Sequence, residues 1–292
     1  MAEHLVMAFL FLALIIYALM AGAAFGAGMW DLLASGPRSL DQRRAIARAI
    51  GPIWEADHVW LILVVVLLFT GFPRAFSVIM TALNIPLTLM LIGIVLRGAA
   101  FIFRKYDTHT QKVERHWSEM FGAASILTPF CQGVIIGACV SGKIRVLDGK
   151  VTTGFLAGWL TPFALACGVF ALGLFSFLAA TYLTVETQDQ PELQNDFRKR
   201  ALWSGAALAP ITLIVFLTSR EGAPEMYHGL EHWWAVPLLA ATSVCAIGAL
   251  SSLWLRRFKL ARMAAVGQVT LILIGWSVAQ FPNLVTPDVT FD

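Results

Sequence analysis

The stretch from Leu61 to Phe69, Leu-Ile-Leu-Val-Val-Val-Leu-Leu-Phe, is apolar at every position. A strand of a membrane β-barrel would alternate apolar and polar residues, because one of its faces meets lipid and the other meets a polar lumen. This stretch does not alternate. It is therefore predicted to belong to an α-helix that crosses a membrane, since a helix satisfies its own backbone hydrogen bonds in lipid.

The composition extends this prediction to the whole chain. Hydrophobic residues make up 58% of the 292 residues and charged residues only 13%, with a mean hydropathy of +0.74; a soluble domain carries about 25% charged residues. Eight apolar runs are long enough to span a bilayer, at residues 5–33, 50–73, 75–103, 117–141, 153–185, 201–219, 233–254 and 262–282. No stretch remains for a separate soluble domain, which argues against a cytosolic enzyme and against nucleic-acid binding.

We therefore expect an all-α integral membrane protein with eight transmembrane helices, forming a single polytopic membrane domain over 1–292. The helices are expected to be arranged as two four-helix bundles, the first over about 1–142 and the second over about 153–285. Sixteen of the 21 Lys and Arg residues lie in or next to the odd-numbered connections, the first, third, fifth and seventh. The positive-inside rule places these connections in the cytoplasm and both termini outside.

Ionisable residues inside a membrane are costly and are functional candidates by default. The start of the second run places Glu55, Asp57 and His58 between Trp54 and Trp60. On a helix Glu55 and His58 share a face, while Asp57 lies nearly opposite Glu55. A carboxylate and an imidazole within reach of each other can exchange protons. We therefore interpret the three residues as a proton relay, with a hydrated cytoplasmic interface as the alternative.

Two arginines of the third run, Arg97 and Arg104, are seven residues apart and share a helix face near its cytoplasmic end. Their side chains either extend to the interface or pair with a buried carboxylate such as Glu55. Together with Trp54 and Trp60 they are expected to support this helix face and the interface. The other polar residues of the runs are interpreted as hydrogen-bond partners between helices, namely Asn84, Ser125, Gln132 and Gln268.

Several kinds of site lack their sequence signature. The chain contains no Walker A sequence, no HExxH, no nucleophile elbow and no CxxCH. Its four cysteines show no metal-ligand spacing, and we interpret them as small apolar helix residues. Of the six histidines only His58 is near the membrane interior, so two axial haem ligands from facing helices are missing. We expect no catalytic residue, no metal ligand and no haem ligand in this chain.

The stretch Gly51-Pro-Ile-Trp-Glu-Ala-Asp-His-Val-Trp-Leu-Ile62, followed by Phe69-Thr-Gly-Phe-Pro73, resembles subunit II of the cytochrome bd family of respiratory quinol oxidases. The resemblance continues in order through nearly the whole chain, at residues 22–29, 96–104, 180–183 and 281–282. It implies a multi-pass subunit of the bacterial cytoplasmic membrane whose partner, subunit I, binds haems b and d. It also implies that Glu55 takes part in proton uptake, that a structural quinone is held in some members, and that a small single-span subunit is a further candidate partner.

Departures from the family pattern affect this expectation. Ala21 and Ala24 stand where the family often has acids, and Ile102 replaces an acid before Arg104. The chain ends ten residues after Pro282, where the family usually continues into another helix, which indicates a truncated or a short form. Two alternatives therefore stay open: a purely structural subunit, and a secondary transporter with proline-broken helices. The sequence does not identify the quinone or establish that oxygen is the acceptor.

Overall fold

The computed structural model describes residues 2–52, 56–106 and 111–291, with side chains at all of these except 2, 104–106 and 111–115. Helices dominate it. In chain order they are α1 (Ala2–Leu32), α2 (Ser39–Ile50), α3 (Ala56–Gly71), α4 (Pro73–Ala82), α5 (Asn84–Tyr106), α6 (Gln111–Val140), α7 (Pro162–Glu186), α8 (Pro191–Gly222), α9 (Pro224–Leu230), α10 (Ala235–Trp254) and α11 (Phe258–Gln280). Two small antiparallel hairpins complete it, β1 (Val146–Leu147) with β2 (Lys150–Val151), and β3 (Asn283–Val285) with β4 (Val289–Thr290).

Seven of the described helices are long and apolar enough to cross a membrane individually: α1, α5, α6, α7, α8, α10 and α11. The eighth crossing depends on counting α3 and α4 together, and these two helices are bent by 116° at the break between them. With 16 residues, α3 is about 24 Å long, which is shorter than a hydrocarbon core of about 30 Å. The described residues thus give seven spanning helices, or eight if the bent pair counts as one span, and the eighth crossing stays a prediction.

Two of the predicted span boundaries are wrong. The third run was expected to be helical from residue 75, but Pro73–Ala82 forms the separate helix α4 and the spanning helix begins at Asn84. The fifth run was expected from residue 153, but residues 152–161 form turns and loop, and α7 begins at Pro162. Thr161 caps that helix by accepting a hydrogen bond from the N–H of Ala164. Proline in the first turn fits this boundary, because its missing N–H has no helical partner there.

Contacts between the connections define two ends of the helical body. At the basic end, Arg38 before α2 pairs with Asp196 at 2.8 Å, and Glu186 of α7 pairs with Arg262 of α11 at 3.1 Å. At the terminal end, the two chain ends meet through the rings of His4 and Phe291, whose centroids are 5.0 Å apart. The first, fifth and seventh connections thus meet at one end of the molecule, in agreement with the prediction that they lie on the same side of the membrane. Which end faces the cytoplasm stays a prediction.

The terminal end is also held by Asp288. Its Oδ2 accepts hydrogen bonds from the N–H of Val146, at 2.8 Å, and from Nε of Arg145, at 2.9 Å, and so joins the C-terminal segment to the β1–β2 hairpin. Burial alone would raise the pKa of Asp288, but the hydrogen bonds from Val146 and Arg145 outweigh it, and the pKa lies below its ordinary value of 3.8.

Helix α1 is the centre of the packing, since it contacts α3, α6, α7 and α11. Its glycines permit the closest approaches: a Cβ added at Gly26 would lie 2.0 Å from the backbone oxygen of Phe175, and one at Gly28 would lie 2.1 Å from Oγ of Ser125. Consecutive helices α5 and α6, α7 and α8, and α10 and α11 also pack together, and α6 packs on α7. Because α1 and α6 both contact α7, the division into two four-helix bundles stays a prediction.

Candidate functional site

The start of α3 carries a buried carboxylate. The side chain of Asp57 has no exposed surface, and its Oδ1 lies 2.6 Å from Nδ1 of His58. The approach to His58 is a close charge contact, since neither Oδ1 nor Oδ2 of Asp57 makes a hydrogen bond among the described residues. Asp57 and His58 are adjacent in the sequence, so the contact is made within the first turn of the helix. A carboxylate and an imidazole at this distance can pass a proton between them.

A buried guanidinium from α5 lies near this carboxylate. Arg97 is 2% exposed, and its Cζ lies 4.4 Å from the ring centre of Phe25 and 5.3 Å from that of Phe121. Its Nε and Nη2 have no hydrogen-bond partner in the described part of the chain, and the guanidinium interacts electrostatically with Asp57. Of the two alternatives given for Arg97, its burial contradicts extension to the interface and favours a place beside a buried carboxylate, here Asp57. The two aromatic rings and the nearby acid hold the charge inside instead.

The polar contacts continue into α1 and α6. Nε2 of Gln132 donates a hydrogen bond to the hydroxyl of Tyr17 at 2.5 Å, and Tyr17 interacts electrostatically with both Asp57 and Arg97. We call these five residues, Tyr17, Asp57, His58, Arg97 and Gln132, the buried polar cluster. It draws on four helices, α1, α3, α5 and α6. Gln132 thus makes the interhelical hydrogen bond that was predicted for it.

The other polar residues of the runs behave differently. The hydroxyl of Ser125 donates to the backbone oxygen of Phe121 in its own helix, so the interhelical bond predicted for it is wrong. Oδ1 of Asn84 and Oε1 of Gln268 are buried without a hydrogen-bond partner in the parts of the chain that the structure describes.

Not every predicted site residue can be placed. Glu55 and Trp54 lie outside the described residues, as does the side chain of Arg104. Trp60 is half-buried and packs against the core cluster around α1 and α7. The structure therefore brings together Asp57, His58 and Arg97 of the predicted set, and the role of Glu55 stays a prediction.

Two functional candidates were missed by the sequence reasoning. Tyr17 lies in an apolar helix with no charged neighbour, so only its phenol could have drawn attention to it. Asp31 is completely buried near the end of α1, but its position beside the first connection is typical of an interfacial residue. Tyr17 gains its significance from helices that are distant in the sequence.

At three positions where the family often has an acid, this chain has an apolar side chain. Ala21 and Ala24 are buried in the core, and Ile102 is 42% exposed on α5. None of these side chains can carry a proton. Any proton route through this chain must therefore use other groups.

The described histidines do not form a pair of axial haem ligands. Nδ1 of His58 contacts Asp57, His4 packs on Phe291 at the terminal end, His116 is exposed beside Trp117, and His228 and His232 lie close together near α9. Among the described residues, no group of three His, Cys, Asp or Glu side chains could hold a metal ion. These residues do not fit a haem bound between two helices of this chain.

The fold has a counterpart among solved structures. A chain of the bd oxidase from Geobacillus thermodenitrificans superposes with a TM-score of 0.77 at 18% sequence identity, over 100% of this chain and 88% of that chain. At this identity the likeness shows the shared fold.

Relatives are found by sequence as well. A Bacillus subtilis protein provisionally assigned as cytochrome bd menaquinol oxidase subunit II is 24% identical over 288 residues, which cover 94% of this chain and 81% of the relative. Cytochrome bd-I ubiquinol oxidase subunit 2 of Escherichia coli is 28% identical over 206 residues, which cover 70% of this chain and about half, 52%, of the relative's length.

The family comparison covers the whole described chain. The model of the family "Cytochrome bd terminal oxidase subunit II" matches residues 2–292. Together with seven or more apolar helices, these relationships make the chain a multi-pass protein of the bacterial inner membrane. The chain belongs to the family of cytochrome bd terminal oxidase subunit II.

Proposed function

We propose that this chain is the subunit of a bd-type quinol oxidase that binds no haem through its own side chains. It supports a haem-bearing subunit I, which oxidises quinol and reduces oxygen to water and which carries haems b and d. The family match over residues 2–292 supports this assignment, as do the relatives, which are named as oxidase subunits. The proposal extends to a structural quinone and to a small single-span subunit as further partners.

The specific role proposed for this chain is a proton relay through Glu55, Asp57 and His58. Reduction of oxygen to water consumes protons, which must reach the haem site through low-dielectric protein. The observation that carries the proposal is the contact of 2.6 Å between Asp57 and His58 inside a membrane helix. A buried acid without a use would be costly to maintain.

Each residue has a distinct part in the relay. Glu55, the residue before α3 in the sequence, takes up a proton, and the imidazole of His58 accepts it at one nitrogen while it releases one from the other toward Asp57. The guanidinium of Arg97 is fixed between Phe25 and Phe121, and its positive charge disfavours a further positive charge beside Asp57. The relay therefore carries one proton at a time.

A purely structural role is the second candidate, and one observation favours it. Three positions at which the family often has acids hold Ala21, Ala24 and Ile102, so a longer chain of carriers is broken. The transporter alternative has no comparable support, because family membership argues against it.

The experiment uses the complex purified through a tag on this chain. Glu55→Gln, Asp57→Asn and His58→Gln are compared with Glu221→Gln, an exposed control at the terminal end. The relay predicts quinol oxidase turnover lower by on the order of tenfold or more in all three variants, with an unchanged haem absorption spectrum. Full turnover in the three variants, with the complex intact, would leave only the structural role.

A further inference from the structure

A cavity of about 320 Å³ opens at the basic end of the molecule. It lies between the connection from α7 to α8 and the turn from α10 to α11. Its wall carries three cations, Arg256, Arg257 and Lys259, and its polar side adds the amides of Gln188 and Gln194. Within the part of the chain that the structure describes, no carboxylate lines it, although Asp189 lies beside Gln188 in the sequence.

Polar contacts between helices lie beside this cavity, and they use carboxylates and cations other than its own three cations. Nη1 of Arg262 bonds Oε1 of Glu186 at 3.1 Å, and Arg198 donates from Nε to the backbone oxygen of Leu253 at 2.7 Å. Gln194 donates to the backbone oxygen of Thr184 at 2.8 Å. Among the described residues, by contrast, no carboxylate pairs with Arg256, Arg257 or Lys259.

The backbone adds further features that suit an anion. Lys259 and Leu260 belong to the first turn of α11 and line the cavity. A helix N-terminus presents unpaired N–H groups and a partial positive charge. Arg256 adopts a left-handed backbone conformation with φ of 58°, which is uncommon for a residue other than glycine. This turn places the two adjacent arginines at the same cavity.

The surroundings of the cavity distinguish a lipid from a free anion. Leu260, on its wall, is 52% exposed, and Trp254, Leu255 and Met263 nearby are also largely exposed. These apolar groups at a helix end suit the acyl chains of a lipid whose headgroup lies in the cavity. Basic pockets between transmembrane helices are recognised sites for anionic headgroups.

We propose that this cavity binds the headgroup of an anionic phospholipid, such as phosphatidylglycerol. The phosphate lies among Arg256, Arg257 and Lys259, the glycerol hydroxyls reach Gln188, and the acyl chains follow the apolar surface of α10 and α11. Because the cavity is lined by residues of α7, α8 and α11 and of the turn between α10 and α11, the bound lipid joins the α7–α8 pair to the α10–α11 pair.

The test is a lipid titration of the delipidated complex that contains this chain, followed by native mass spectrometry. Short-chain phosphatidylglycerol is compared with phosphatidylcholine and with inorganic phosphate. The triple variant Arg256→Gln, Arg257→Gln, Lys259→Gln should bind phosphatidylglycerol about 100-fold more weakly, since each cation near a membrane surface contributes about fivefold. Lys259→Gln alone should weaken binding about fivefold. The side chain of Lys259 is exposed, so this substitution should leave the fold unchanged.

The matched control removes three exposed cations from the same end of the molecule outside the cavity, through Arg44→Gln, Arg48→Gln and Lys199→Gln. It should retain phosphatidylglycerol binding within about threefold of the unaltered complex. Three outcomes would overturn the proposal: an equal loss in both triple variants, equal binding of phosphatidylcholine, or binding of inorganic phosphate as tight as that of the lipid.

Discussion

Gly26 lies where α1 and α7 approach most closely, and its replacement by alanine provides a direct test of the packing that positions the buried polar cluster. A Cβ at this position would lie 2.0 Å from the backbone oxygen of Phe175, 2.6 Å from its carbonyl carbon and 2.7 Å from Cβ of Ala179. A backbone oxygen cannot rotate away as the end of a flexible side chain can. The helices must therefore separate.

The magnitude follows from that distance. Ordinary contact begins at 3.4 Å, so α1 and α7 must part locally by about 1.4 Å. A gap of about 1 Å forfeits up to half of the dispersion energy of each contact, and overpacking of a core costs about 1 to 3 kcal/mol. We expect Gly26→Ala to lower the free energy of unfolding by about 3 kcal/mol, in spite of the better helix propensity of alanine.

The assay is unfolding of the purified complex in detergent, with Gly248→Ala as the control. Gly248 lies within α10, and a Cβ there would meet nothing within 4 Å. The control should gain about 1 kcal/mol from helix propensity. If Gly26→Ala proved as stable as the control, the close packing of α1 on α7 would be refuted.

Three further changes test other parts of the account. Arg97→Met removes the cation near buried Asp57 and should cost about 3 kcal/mol in unfolding free energy, most of which Asp57→Asn recovers in the double variant; additive losses would contradict the coupling. Tyr17→Phe removes one interhelical hydrogen bond and should cost about 0.6 kcal/mol in the same measurement, and a loss above about 2 kcal/mol would indicate a larger role. The lowered pKa of Asp288 stabilises the terminal end above pH 3.8, and this stability is lost as the pH falls through the still lower pKa of the folded state. Hydrogen exchange of residues 143–153 should therefore accelerate only in strong acid, and Asp288→Asn should abolish that pH dependence while it weakens the contact with Arg145.

The helices of this fold could be predicted from the sequence because each spans lipid with a nearly continuous apolar run. Their breaks were harder to predict. Pro73 indicates where the helix breaks, but the bend of 116° after Gly71 depends on how α3 and α4 pack. The loop before Pro162 is apolar enough to resemble helix, since composition alone does not report backbone hydrogen bonds.

The candidate site shows the same limit. Sequence spacing placed the titratable groups at the start of α3 and paired His58 with Glu55, which lies outside the described residues; the described contact of His58 is with Asp57. The sequence left two positions open for Arg97, because its burial depends on rings supplied by α1 and α6. Likewise Tyr17 acquires a polar role only through contacts between helices.

The most direct test of the central claim is the rate of proton uptake after an oxygen pulse to vesicles that contain the complex. The account predicts that Asp57→Asn slows proton uptake by on the order of tenfold while the haem absorption spectrum stays unchanged. Proton uptake at the unaltered rate, in a variant that retains its full haem content, would contradict the claim that the buried carboxylate of α3 carries protons.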